Sequence, residues 1–145
     1  MRAGAEEFMR EKTLAIVGVS RTKGFGNMAM KELRRTGREV FPVNSAADEV
    51  EGEKCWRNLE ALPKKPGAVV AVVPPAETEH VVDECVRLGI HNLWIQQGAE
   101  TPAAVQKAKA AGLNVIDGSC VLLYAEPAHS IHRVHRWVAK ATGRL

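Results

Sequence analysis

Thr13-Leu14-Ala15-Ile16-Val17-Gly18-Val19-Ser20-Arg21-Thr22-Lys23-Gly24-Phe25-Gly26-Asn27 is the stretch that decides the fold. An apolar, β-branched run from Thr13 to Val19 passes into a loop rich in glycine, and the loop passes into a helical pattern that starts at Asn27. A strand that enters a helix in this way aims free backbone N–H groups and the positive end of the helix dipole at an anion. A phosphate is therefore the first candidate ligand. Gly18 permits the tight turn, while Gly24 and Gly26 let a ligand approach the backbone. Ser20, Arg21 and Lys23 add a hydroxyl and two cations suited to a pyrophosphate. The competing reading is a solvated glycine-rich loop.

The spacing narrows the chemistry. Gly18, Gly24 and Gly26 stand as Gly-x5-Gly-x-Gly, which matches neither the dinucleotide pattern G-x-G-x-x-G nor the P-loop pattern G-x-x-x-x-G-K-[ST]. That argues against a nucleoside triphosphatase. A dinucleotide fold also tends to end its second strand in Asp or Glu, which holds the ribose hydroxyls, whereas Phe41-Pro42-Val43-Asn44 ends in Asn. An NAD(P)-binding oxidoreductase-like domain stays open as an alternative, weakened by both features.

Outward from this stretch, four further short runs follow: Glu39–Val43, Ala68–Val73, Asn92–Gln96 and Leu113–Ile116, with helical patterns between most of them. Alternation of this kind predicts an α/β fold with a parallel sheet. Ala68–Val73 has no polar alternation, as a strand covered on both faces requires, and belongs at or near the centre. Helices are expected over Asn27–Thr36, closed by Gly37, and over Ala76–Leu88, closed by Gly89. Another should start at Thr101-Pro102 and end at Gly112, and short helical stretches are expected at 5–11 and, as an amphipathic helix, at 128–142. Ser45–Pro66 is the least regular region and reads as a crossover with one helical turn around Leu59.

The chain has 145 residues, enough for one domain with a proper core. Its 20 Lys and Arg against 17 Asp and Glu leave a net charge of +3, too small to argue for nucleic-acid binding by phosphate neutralisation. The excess concentrates around the first glycine loop. The longest apolar run is far shorter than the roughly 20 residues of a membrane span, and the opening residues lack an apolar signal core. Three cysteines, Cys55, Cys85 and Cys120, stand at long spacing with no Cys-x-x-Cys pair. A reducing cytoplasm is the expected compartment, with no membrane and no nucleic acid as partner.

Five motifs, in order, resemble those of the CoA-binding domain family. They are the first strand with its glycine loop, Phe41-Pro42-Val43-Asn44, Val72-Val73-Pro74-Pro75, Leu93-Trp94-Ile95-Gln96-Gln97-Gly98 and Val115-Ile116-Asp117-Gly118-Ser119-Cys120. The family is similar to the CoA-binding domain of the succinyl-CoA synthetase α subunit. The resemblance, over about residues 8–125, implies a Rossmann-like three-layer sandwich with a five-stranded parallel sheet in the order 3-2-1-4-5 and coenzyme A across its C-terminal edge. It puts Gly18, Val19, Ser20 and the Arg21–Gly26 loop at the phosphates, Pro42, Val43 and Asn44 near the adenosine, and Val73, Pro74 and Pro75 along the groove. Pro74-Pro75 cannot continue a strand ladder, so the residues themselves also predict a rigid rim there, although a plain strand terminator looks the same.

Where the family commonly has Pro-Lys after Pro-Val-Asn, this chain has Ser45-Ala46, and Arg34, Arg35 and Arg38 are the candidate replacements for the missing cation. Gln96 has two readings, a bond to the pantetheine amides or to neighbouring backbone. Cys120 is expected to be a buried thiol rather than one that meets the CoA sulfur. His129, His132 and His135 read as a solvated basic face rather than a metal site.

The sequence shows no Ser-His-Asp set and no paired carboxylates. The expected function is therefore non-catalytic binding of coenzyme A or an acyl-CoA by a single domain over 1–145, with a homodimer or a protein partner possible. A ligand-free interaction module is the remaining alternative.

Overall fold

The computed structural model describes residues 2–125. The C-terminal helix expected at 128–142, with His129, His132 and His135, lies outside the described residues.

Five strands form one parallel sheet: β1 (Thr13–Val17), β2 (Glu39–Val43), β5 (Ala68–Ala71), β6 (Asn92–Ile95) and β7 (Asn114–Ile116). Between β2 and β5 a small antiparallel hairpin joins β3 (Glu49–Val50) to β4 (Glu53–Lys54). The helices are α1 (Arg2–Met9), α2 (Phe25–Arg35), α3 (Pro75–Leu88) and α4 (Pro102–Ala110), followed by a 3-10 turn at Val121–Leu123. α4 begins where the Thr-Pro pair predicts, with the Thr101 hydroxyl accepting the Ala104 N–H at 3.0 Å. α3 ends at Gly89 in the left-handed conformation, φ 74°.

Strand residues sort by period two onto the two faces. Leu14, Ile16, Ala68, Val70, Trp94 and Ile116 pack with Phe8 of α1, Met30 and Leu33 of α2 and Val121–Leu123. Ala15, Val69, Ala71, Leu93 and Ile95 pack with Val81, Val82 and Cys85 of α3 and Ala104 and Ala108 of α4. A sheet covered on both faces needs apolar residues at successive positions, and all four residues of β5 are buried.

The architecture is the expected Rossmann-like sandwich, but the strands run β2-β1-β5-β6-β7, which in the five-run numbering is 2-1-3-4-5 and not 3-2-1-4-5. The third run pairs with the first, Ala71 beside Val17, and leaves β2 at the edge. Pro42 explains why. It lacks an N–H and so suits an edge strand but not a strand flanked on both sides, as 3-2-1-4-5 would require of β2. The outer side of β2 is met by Arg34, which donates to the Val40 carbonyl, and by Trp56, whose N–H donates to the Pro42 carbonyl at 3.1 Å and whose carbonyl accepts the Asn44 N–H at 2.9 Å.

Residues 45–66 also depart from expectation. The hairpin occupies their first half, turning through Glu51 (φ 46°) and Gly52 (φ 80°), the two left-handed positions of a two-residue hairpin turn. Around Leu59 the expected helical turn is reduced to one hydrogen bond, Leu62 N–H to the Leu59 carbonyl. The first helix starts earlier than expected, at Arg2, and ends at Met9.

Two glycines set how closely the elements meet at the C-terminal edge. Gly18 has φ 113°, and a Cβ there would lie 1.9 Å from the Val72 carbonyl oxygen. A Cβ on Gly26 would lie 2.9 Å from the Gly18 carbonyl oxygen, so α2 rests directly on the turn after β1. Gly24 differs: its backbone is extended, φ 165°, and its nearest neighbour is the Ser20 Cβ at 3.6 Å. Gly18→Ala is therefore expected to cost about 3 kcal/mol or more, and Gly24→Ala less than about 1 kcal/mol, in urea unfolding. Equal losses at the two positions would contradict this packing.

Candidate functional site

A cleft of about 480 Å³ opens at the C-terminal edge between β1 and β5, where the chain changes direction across the sheet. Open α/β sheets bind ligands at such a switch point. Three strand ends line it: Val17–Arg21 after β1, Val43–Ser45 after β2, and Val73 with Pro74 after β5. Its remaining walls are Arg57 and Asn58, beyond the hairpin, and Glu77, His80, Val81 and Glu84 on α3.

The loop over the cleft is held by side-chain hydrogen bonds as well as by the packing of Val19 and the close contacts at Gly18 and Gly26. Asn27 is 2% exposed, and its side chain brackets the Ser20 peptide, accepting the Ser20 N–H at 2.8 Å and donating to the Ser20 carbonyl at 2.9 Å. The same amide donates to Glu51 at 2.6 Å, which ties the loop to the hairpin. Arg21 donates to the Ala46 carbonyl at 3.1 Å, and its own carbonyl accepts the Glu51 N–H at 2.9 Å. Asn44 donates to the Val19 carbonyl at 2.7 Å. These bonds tie the loop to α2, to the hairpin and to the end of β2.

α2 starts at Phe25 with no side chain capping it. The N–H groups of its first turn have no partner within the helix and can serve an anion. The hairpin carboxylates meet the cations of α2: Lys31 pairs with Glu51 at 2.8 Å, and Arg34 forks onto both oxygens of Glu53 at 2.8 Å. The bond from Lys31, helped by Asn27, holds the Glu51 carboxyl below its ordinary value, and Arg34 does the same for Glu53.

Of the residues singled out in the sequence, Gly18, Val19, Ser20, Arg21, Val43, Asn44, Val73 and Pro74 meet in this cleft. Lys23 and Gly24 are exposed on the loop, Gly26 is buried beneath it, and Pro75 is the first residue of α3. Pro42 lies in a separate groove on the outer edge of β2, with Arg34, Arg38 and Trp56.

The side chain of Gln96 is buried and accepts the Val121 N–H at 3.1 Å, the backbone alternative of its two readings. Cys120 is 2% exposed within the core on the α2 face. The other two cysteines are buried as well, and burial pushes the Cys85 thiol up to about 12.

Arg34, Arg35 and Arg38 do not replace the missing cation in the cleft. Arg34 is held by Glu53 and the Val40 carbonyl, Arg35 pairs with Glu32, and Arg38 donates to the Met9 carbonyl. Arg57 is the cation that sequence reading missed. Its place becomes visible only once Trp56 is seen to lie against Val43, and the signal available was the Glu51-Gly52 turn between Val50 and Glu53.

Removal of the loop's buried fastening is expected to be costly. Asn27→Ala strands the Ser20 N–H and should lower stability by about 2 kcal/mol in urea unfolding, and a loss below about 0.5 kcal/mol would contradict the tether. The hairpin tie predicts an acid response. Folding lowers the carboxyl pKa of Glu51 and Glu53, so the stability they lend is full above the ordinary value of 4.5 and is lost as pH falls below it through the folded values. The melting temperature of Glu53→Gln should accordingly fall less steeply over that acid interval than that of the parent chain.

The profile of the CoA binding domain family matches residues 12–126. An ADP-forming acetate–CoA ligase of Methanocaldococcus jannaschii is 32% identical over 80 residues, 54% of this chain and 11% of the ligase. The present chain thus corresponds to only a small part of that enzyme. The uncharacterized Bacillus subtilis protein YneT is 29% identical over 117 residues, which cover 80% of this chain and 87% of YneT. A solved structure of a hypothetical protein from Pyrococcus horikoshii superposes with a TM-score of 0.79 at 30% identity, covering 86% of this chain and 89% of that one.

Proposed function

The chain belongs to the CoA-binding domain family, and from that premise we propose that it binds coenzyme A or an acyl-CoA reversibly in the cleft between β1 and β5, without catalysing a reaction itself. The observation that carries the reading is the convergence, on one cleft, of the Gly18–Arg21 turn and the ends of β2 and β5, with the uncapped start of α2 packed on that turn through Gly26.

The residues present fit such a ligand. The first-turn N–H groups of α2, with Arg21 and Lys23, serve the pyrophosphate, and the fixed loop avoids the ordering entropy that a mobile one would lose on binding. Val43 and Asn44 border the adenosine, and Val73 and Pro74 form the opposite apolar wall. A cleft of about 480 Å³ suits the nucleotide half of coenzyme A. The pantetheine arm then runs over the ends of β5 and β6 towards Gln96 and Cys120. The Cys120 thiol lies in the core, which supports binding rather than thiol exchange.

Among the described residues no group of three or more His, Cys, Asp or Glu could hold a metal ion, and no helix is long and apolar enough to cross a membrane. Neither observation bears on how coenzyme A is held.

Isothermal titration tests the reading. Micromolar binding of coenzyme A is expected, weakened at least tenfold, or about 1.4 kcal/mol, in the Arg21→Ala, Lys23→Ala double variant. A chain that bound NAD and not coenzyme A, or neither, would overturn it. Thermal melting of the ligand-free double variant separates lost contacts from lost folding, because Arg21 also bonds the Ala46 carbonyl.

A further inference from the structure

The end of β2 lacks a cation in its own sequence, Asn44-Ser45-Ala46, yet the folded chain brings one there from elsewhere. Trp56 pairs in parallel with Val43 and is fixed by two backbone hydrogen bonds, to Pro42 and Asn44. Arg57 follows Trp56 as Asn44 follows Val43, so it emerges beside the tip of β2 as though from an added edge strand. It lines the cleft together with Asn44, Ser45 and Asn58.

The guanidinium is oriented. Its Nε donates to Asp48 at 2.8 Å, and among the described residues its two terminal nitrogens have no hydrogen-bond partner. Asp48 is itself placed by the hairpin, since its carbonyl accepts the Cys55 N–H at 2.9 Å. An arginine gripped at Nε presents its remaining N–H donors as a flat fork, the geometry that matches a phosphate bidentately.

Position supplies the identity of that phosphate. With the pyrophosphate over the glycine loop, the ribose of a nucleotide in an open α/β sheet lies at the end of the second strand, where an acidic side chain holds free hydroxyls and an arginine accommodates a ribose phosphate. Here the strand ends in neutral Asn44 with Arg57 alongside. We propose that Arg57, oriented by Asp48, selects ligands that carry a phosphate monoester on the ribose, and so distinguishes coenzyme A from dephospho-CoA. This rests on the reading that the cleft takes coenzyme A.

Isothermal titration of coenzyme A and dephospho-CoA into the parent chain, Arg57→Gln and Arg57→Lys tests it. The parent should prefer coenzyme A by at least tenfold. Arg57→Gln should abolish that preference by weakening coenzyme A alone, leaving dephospho-CoA within about twofold and the ligand-free melting temperature unchanged. Arg57→Lys, which keeps the charge but not the fork, should fall between the two. Equal weakening of both ligands, or of neither, would overturn the role of Arg57 and leave the cleft standing. Failure of the parent to bind either ligand would instead remove the cleft reading and this role with it.

Discussion

The structure depends on a place where three backbones touch with no side chain between them. The turn at Gly18 lies against the Val72 carbonyl beyond β5, and Gly26 of α2 lies against Gly18 in turn. A methyl group at Gly18 would overlap the Val72 carbonyl, and one at Gly26 would press on the turn. Because β1 and β5 come together this closely at their C-terminal ends, the start of α2 sits directly above the switch point of the sheet. The uncapped start of the helix is thereby held next to the turn that, with the ends of β2 and β5, lines the cleft.

What glycine makes close, buried and half-buried polar groups make rigid. Asn27 binds both sides of the Ser20 peptide and reaches Glu51, Asn44 reaches Val19, and Arg21 reaches Ala46. The hairpin therefore does more than fill a crossover, since it fastens the loop on one side and delivers Trp56 and Arg57 to the edge of β2 on the other. The exposed ion pairs of Lys31 and Arg57 are individually weak, so their importance is in placing groups rather than in stability. The buried side chain of Asn27 is different, because its loss leaves a backbone donor without a partner.

The sequence made some of this legible and hid the rest for physical reasons. The five strands were visible because a sheet covered on both faces demands uninterrupted apolar runs, as in Ala68–Ala71, and the start of α4 was visible in Thr101-Pro102. Strand order was hidden because the runs look alike, although Pro42 already marked β2 as an edge. The hairpin went unseen because its strands are two residues long and carry little periodicity. Eight of the fifteen singled-out site residues meet in the cleft because they sit at strand ends, which motif reading finds. Arg57 could not be found that way. Its nearness to Asn44 is made by a fold that crosses the whole hairpin. Whether Gln96 faced ligand or backbone was equally undetermined, because a buried amide looks the same in sequence whichever partner it has.

The most direct measurement is a nitrogen-15 amide spectrum of the labelled chain titrated with coenzyme A, assigned over the loop and strand ends. The account predicts that the largest shifts fall on the amides of Gly18–Asn27, Asn44, Arg57 and Val73, with the far ends of β1 and β6 undisturbed. Shifts centred instead on the outer groove of Arg34, Arg38 and Trp56, or none at saturating coenzyme A, would contradict it.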